Sequence, residues 1–255
     1  VKAKNKKVSI PTVDFGSFDL VFIQGSNPVV SAPNTQKIID GLKKTFVVYF
    51  GTTLNETCEY ADLIIPSCSF LSKEDVRLSY GHELKSISQA VKLKDENTIS
   101  EYEMANFLIE EFNLEKLKTQ DEIISYYENH KPILKDFDTF EFIEDMEIEP
   151  LYKEKKADNF YYITGKNKNS LNSQFAKDDF VYLHSSTNFK NDDVVKISSK
   201  YGNANFIVKI DDNIKSNCAF FFTGNKYANY LTPALEDEIS NSAMYQEVLV
   251  QIELS

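Results

Sequence analysis

The residues best suited to chemistry are Gly25-Ser26-Asn27-Pro28, where the apolar run FDLVFIQG ends and a helical pattern begins. A loop between a buried strand's C-terminal end and a helix N-terminus offers unpaired N–H groups to phosphate, so GSNP reads as a candidate dinucleotide loop. Other constellations carry less. Glu56 and Glu59 stand three apart on a short predicted helix, and they read as a solvated face rather than an acid–base pair. His184 in YLHSST has serines beside it, but no acidic third member or oxyanion loop is evident in the sequence. His130 closes a predicted helix, where a partial positive charge suits the dipole. Cys58, Cys68 and Cys218 form no CxxC pair, which points to neither a disulfide framework nor a zinc or iron–sulfur site. They read as small buried apolar residues of a reducing compartment.

Glycine spacing narrows the nucleotide classes. No two of the 8 glycines lie five apart, as a Walker A loop requires, or two apart, as GxGxxG requires. The net charge of −11 lacks the basic footprint of a nucleic-acid binder. At 255 residues and 42% hydrophobic content, the chain can build one large domain or two ordinary ones. No apolar run reaches the length of a membrane-spanning helix. The start, VKAKNKKVSIP, lacks both a Met and the apolar stretch of a secretory signal, so the chain reads as a segment of something longer.

The elements that must position the loop follow from periodicity. FDLVFIQG (18–25), TFVVYFG (45–51) and DLIIP (62–66) read as buried strands. Between them lie a helix capped by Asn34 or Thr35, with Ile38, Ile39 and Leu42 on one face, and a short helix starting at Asn55. This alternation predicts a parallel sheet with right-handed crossovers. Residues 72–93 read as polar and irregular until an alternating stretch near 84–91. Residues 100–117 predict an amphipathic helix through Tyr102, Ala105, Leu108, Ile109 and Phe112. Residues 119–130 predict another, with a Thr119/Glu122 capping box and Pro132 beyond it. The stretch 136–149 carries seven acidic residues and no basic one, and it reads as an extended connector or an arm for a partner. From about residue 158, short strands and polar turns follow. They include a hairpin pairing Val195, Ile197 and Ser199 with Phe206, Val208 and Ile210, the pattern of a small β-barrel.

The series IQGSNPVVSAPN, ETCEYADLIIP and YGHE resembles the C-terminal part of the molybdopterin oxidoreductase superfamily. Two further stretches, NDDVVKISSKYGNANFIVKIDDNI and NYLTPALEDEISNSAMYQEVLVQIEL, resemble that superfamily's terminal double-psi β-barrel. The resemblance implies an α/β fold: part of a Rossmann-like parallel-sheet domain over residues 1–130, an acidic connector over 131–157 and a double-psi β-barrel domain over 158–255. It implies that Gly25, Ser26, Asn27, Pro28, Gly81 and His82 face one pterin dinucleotide, and that Asn229 is the closing-motif asparagine of the barrel.

Departures from the family pattern shape the expected function. The family's Glu-Gly-Arg reads Tyr80-Gly81-His82, its barrel Asp-Gly-Asp reads Asn191-Asp192-Asp193, and a later glycine position reads Ser216-Asn217. A fold kept while its glycines are lost is similar to the large iron–sulfur protein of bacterial respiratory complex I, the NADH:quinone oxidoreductase. The expectation is therefore a cytoplasmic scaffold segment without catalytic residues, metal or cofactor, peripheral to the membrane through its partners. Those partners are other components of the respiratory complex and upstream iron–sulfur domains. The alternative is part of a molybdopterin guanine dinucleotide site in an active molybdenum or tungsten oxidoreductase such as a formate dehydrogenase. A free-standing adaptor with the same fold is the third reading.

Overall fold

The computed structural model describes residues 8–78, 84–129, 159–168, 170–171, 174–175, 178–237, 242–246 and 248–255. The predicted acidic connector, His130, Gly81 and His82 lie outside them. The chain divides into two compact units, residues 66–156 and residues 2–65 with 157–255.

In the larger unit, β1 (Leu20–Gln24), β2 (Phe46–Gly51) and β3 (Leu63–Pro66) form a sheet in that order. β1 and β2 run parallel, with Leu20 beside Phe46 and Gln24 beside Phe50. Between these two strands lies the predicted helix, α2 (Thr35–Leu42), and a one-turn helix not predicted, α1 (Pro28–Ser31), precedes it without joining it. Pro33 is the cause, because a residue before proline is pushed out of the helical region, and Ala32 accordingly sits at φ −87°, ψ 150°. Asn34 caps α2 by accepting the Lys37 N–H at 3.1 Å. Ile38, Ile39 and Leu42 bury their shared face against Ile23, Val47 and Tyr49. The β2–β3 connection is a 3-10 turn, Glu56–Tyr60, capped by Asn55, whose Oδ1 accepts the Thr57 N–H at 3.0 Å.

The smaller unit carries a hairpin, β4 (Asp75–Leu78) against β5 (Lys85–Ser88), and two helices, α3 (Glu101–Glu111) and α4 (Gln120–Asn129). β4 falls in sequence that reads as irregular. Its side chains are mostly exposed, so alternation left no mark. α3 stops six residues short of the predicted end, because Asn113 turns left-handed at φ 48° and closes the helix. Its apolar stripe is partly covered: Met104 is buried and Tyr102, Ala105, Leu108 and Ile109 are half-buried, but Phe112 is 69% exposed. The predicted Thr119/Glu122 capping box forms, and Ser100 and Glu103 make a second reciprocal cap that the sequence reading did not name.

Glu103 also pairs with Lys94, and this hydrogen bond, with those from Ser100, lowers its carboxyl from 4.5 to about 2. A carboxyl depressed in the folded state stabilises above its unfolded pKa and loses that contribution as pH falls through the folded value. The stabilisation of α3 from Glu103 is therefore expected to be complete above pH 4.5 and to fade between 4.5 and about 2. Circular dichroism through that window should show the loss, and Glu103→Gln should flatten it. The pair is half exposed, so high salt should move the transition upward in pH.

The barrel completes the larger unit. Its strands are β6 (Phe160–Gly165), β9 (Phe180–Leu183), β10 (Val194–Ser198), β11 (Asn203–Ile210), β12 (Cys218–Phe222) and β13 (Leu249–Leu254), with a small hairpin of β7 (Ser170–Leu171) and β8 (Gln174–Phe175) between β6 and β9. Six strands close in the order β10-β11-β9-β12-β6-β13. The predicted hairpin is β10–β11, with Val195 opposite Phe206 and Ile197 opposite Ala204. Parallel pairs β11–β9 and β12–β6 sit among antiparallel ones, giving the mixed closure of the double-psi barrel. Tyr162, Val181, Leu183, Val195, Phe206 and Phe221 fill the interior. Among the described residues no helix is long and apolar enough to cross a membrane.

Candidate functional site

The GSNP loop leaves the C-terminal end of β1 and enters the one-turn α1, with Pro28 at its first position. Gly25 anchors it by donating its N–H to Phe50 O at 2.8 Å. Gly25 takes φ +54°, which favours glycine, and the space beside its Cα is open to 4 Å. Gly25 and Ser26 are exposed, whereas Asn27 and Pro28 are buried. In the sequence all four read as one ligand-facing loop. The structure divides them into a presented pair and a rooted pair.

Asn27 is rooted by the ETCEY segment. Its Nδ2 donates to Glu56 Oε2 at 2.8 Å, and its Oδ1 accepts the Thr57 hydroxyl at 2.8 Å. Thr57, fully buried, accepts the Val29 N–H at 3.3 Å. Asn55 Nδ2 reaches Ser26 O at 3.3 Å and the Tyr49 hydroxyl at 2.9 Å. The two segments that stood out separately in the sequence are thus one hydrogen-bonded clasp, which fixes where Gly25 and Ser26 point. Buried polar groups need such partners, so the clasp is also a packing requirement.

The barrel approaches the same loop. Buried Asn225 shapes the turn after β12, its Oδ1 accepting the Tyr227 and Ala228 N–H groups at 2.9 and 3.2 Å. This delivers the 3-10 turn Ala228–Leu231, in which Asn229 Nδ2 donates to Val30 O at 2.6 Å. The Asn34 N–H donates to Thr232 Oγ1 at 3.2 Å, and the Tyr245 hydroxyl donates to Ser31 O at 2.6 Å. Asn229 therefore ties the barrel to the backbone behind the loop. A residue that sequence reasoning missed, Lys226, brings a cation to this side. A hydrogen bond with Tyr227 raises its pKa, and Asp179 and Glu56 add to the effect. Only the fold puts Lys226 near Glu56, so no sequence spacing signals it.

Elsewhere the structure supplies the acidic neighbour that His184 lacks in the sequence. Asp212 Oδ1 lies 3.9 Å from His184 Nε2, and Ser186 Oγ lies 2.8 Å from Nδ1. The Nδ1 lone pair already accepts the Ser186 N–H at 2.9 Å, so it is not free to take the hydroxyl proton. The group is a capped turn. Cys68 and Cys218 are buried and Cys58 is half-buried. Among the described residues no group of three His, Cys, Asp or Glu side chains is placed to hold a metal.

The groups around Gly25 fit an anionic dinucleotide: an open glycine backbone and an exposed Ser26. Comparison with known proteins agrees. Residues 1–111 match the family model described as molybdopterin oxidoreductase, and residues 160–249 match that described as "Molydopterin dinucleotide binding domain". The chain is 33% identical over 108 residues to the probable oxidoreductase YoaE of Bacillus subtilis, a match covering 41% of this chain and 16% of that protein. It is 36% identical over 63 residues to the assimilatory nitrate reductase catalytic subunit of the same organism, covering 24% and 9%. A nitrate reductase of Symbiobacterium thermophilum is 31% identical over 81 residues, covering 32% and 11%. In fold it is similar to acetylene hydratase from Pelobacter acetylenicus, with a TM-score of 0.60 at 14% identity over 96% of this chain and 46% of that one. The chain thus spans under half the length of that structure, and the matched parts span less than a fifth of each curated relative.

The dinucleotide-domain match and the nitrate reductase relatives overturn the expectation that no cofactor belongs to this chain. That expectation equated lost glycines with lost backbone geometry. Asp192, at the barrel position where the resembled pattern has glycine, takes a left-handed conformation at φ 69° and pairs with Lys209 at 2.7 Å. Asp is among the few side chains that tolerate it. A side chain other than glycine therefore occupies a glycine-favouring backbone conformation here.

Proposed function

Because the chain belongs to the molybdopterin oxidoreductase family, we propose that it supplies part of the pterin-dinucleotide site of a molybdenum or tungsten oxidoreductase. The carrying observation is the Gly25–Ser26 backbone, open on its outer side and locked from behind by Asn27, Glu56 and Thr57. When bound, the pterin-held metal supplies the redox chemistry. This chain's residues bind and orient. Gly25 and Ser26 present backbone and hydroxyl groups to the dinucleotide. Asn229, Thr232 and Tyr245 hold the barrel wall against the loop and limit water entry from that side. The oxidoreductase and nitrate reductase relatives support this reading over a complex I scaffold. Metal analysis and pterin extraction on the polypeptide isolated from its source cells test it. Molybdenum or tungsten with an extractable pterin dinucleotide is expected, and the absence of both would overturn it.

A further inference from the structure

β13 changes neighbours along its length. Leu249 and Val250 lie beside Tyr161 and Phe160 of β6, whereas Gln251 through Leu254 lie beside Ser198 through Val195 of β10. Past Ser198, β10 does not continue along Leu249 and Val248. It turns instead, the Ser199 N–H donating to Gly202 O at 2.8 Å and the Ser199 hydroxyl to Leu231 O at 2.8 Å. The ladder therefore opens where β10 leaves, and β6 begins at Phe160 on the other side of β13. A groove of about 470 Å³ occupies this place. That volume lies within the range of about 300–1,000 Å³ of small-molecule sites.

The lining is chemically selective. Asn159, Ser198 and Gln251 bring two carboxamides and a hydroxyl, and among the described residues none of these side chains has a hydrogen-bond partner. Together they offer donors and acceptors at once, which matches hydroxyl groups rather than a bare ion. Lys200 adds a cation, its ammonium 4.8 Å from the centre of the Tyr201 ring. Among the described residues of the lining no carboxylate joins it, in a chain with 39 acidic and 28 basic residues. A single cation without a competing carboxylate favours one anionic group. Tyr201, Val248 and Leu249 supply apolar surface for a carbon skeleton. None of these residues belongs to the Gly25 loop, to its clasp, or to the barrel contacts with Val30, Ser31 and Asn34.

We propose that this groove is a second small-molecule site, separate from the dinucleotide loop, and that it takes a sugar phosphate. Lys200 meets the phosphate ester, and Asn159, Ser198 and Gln251 meet the hydroxyls of the sugar. Isothermal titration of ribose 5-phosphate into the protein purified from its source cells tests this, with ribose and inorganic phosphate as separate probes. Ribose 5-phosphate is expected to bind about tenfold or more tightly than either part, since each part makes only some of the contacts. Lys200→Gln should weaken it by about tenfold or more and Gln251→Leu by about threefold to tenfold, because a charged hydrogen bond is worth more than a neutral one. Lys196→Gln removes an exposed cation of the same strand, paired with Glu253, and should change nothing. Pterin content should stay level in all three variants. An absence of saturable ribose 5-phosphate binding would overturn the proposal. So would equal affinity for inorganic phosphate, which would mean an adventitious ion only, or an affinity that neither lining variant alters. Pterin lost together with sugar phosphate binding would also overturn it, since the groove would then be part of the dinucleotide site. The titration needs no bound metal or pterin, so its outcome and that of the metal and pterin analysis are read independently.

Discussion

Asn27→Ala is expected to destabilise the larger unit by about 2–3 kcal/mol and to strip most of the pterin from the isolated protein, although Asn27 itself is buried. The substitution leaves the Thr57 hydroxyl without its acceptor and Glu56 without its 2.8 Å donor, and it frees the chain that holds Gly25 and Ser26 in place. Thr57→Val is the partner test. It keeps the shape but removes the hydroxyl that meets the Val29 N–H and Asn27 Oδ1, at a cost of about 1–3 kcal/mol. Because both variants break the same hydrogen bond, the double variant should cost less than their sum by roughly 1 kcal/mol. Urea melts of the four proteins give the cycle. Additive costs would mean that the clasp is not one unit. Full pterin content in a folded Asn27→Ala protein would mean that the clasp does not position the loop.

Phe221→Ala is expected to have the largest effect on the fold, about 3–5 kcal/mol of barrel stability. Phe221 is fully buried, stacks on Tyr162 with ring centroids 4.9 Å apart, and meets Phe206 edge-on at 5.0 Å. Its removal opens a cavity at the meeting point of β6, β11 and β12, where the closed strands leave little room to collapse. Whole domains are stable by only about 5–15 kcal/mol, so a large share would be lost. The denaturation midpoint should fall with an unchanged slope, and a shift under about 1 kcal/mol would show that the interior repacks. Exposed Phe112 on α3 makes the contrast, since its replacement should change stability by less than about 0.5 kcal/mol.

How much was legible in the sequence varies by element. β1, β2 and β3 announced themselves because buried parallel strands are short apolar runs, and the β10–β11 hairpin because one face of each strand fills the barrel. Caps were legible because capping is local: Asn34, Asn55, Thr119 and Glu122 act within three residues of themselves. β4 was not legible, since an exposed hairpin strand needs no alternation. Nor was the one-turn α1 drawn, since four residues before Pro33 are too few to show a helical period.

The candidate site divides in the same way. Residue type and near-neighbour spacing were enough to show that a glycine-containing loop closes a buried strand and that a barrel follows it. Which loop residues face outward and which are roots needed the folded chain, because Asn27 meets Glu56 and Thr57 across about thirty positions and Asn229 meets Val30 across 199. So did the finding that Asp192 takes the backbone conformation of a glycine, a matter of φ rather than of residue name. Hydrogen bonds between distant segments leave no period in a chain, and backbone conformation is held by whatever packs around it.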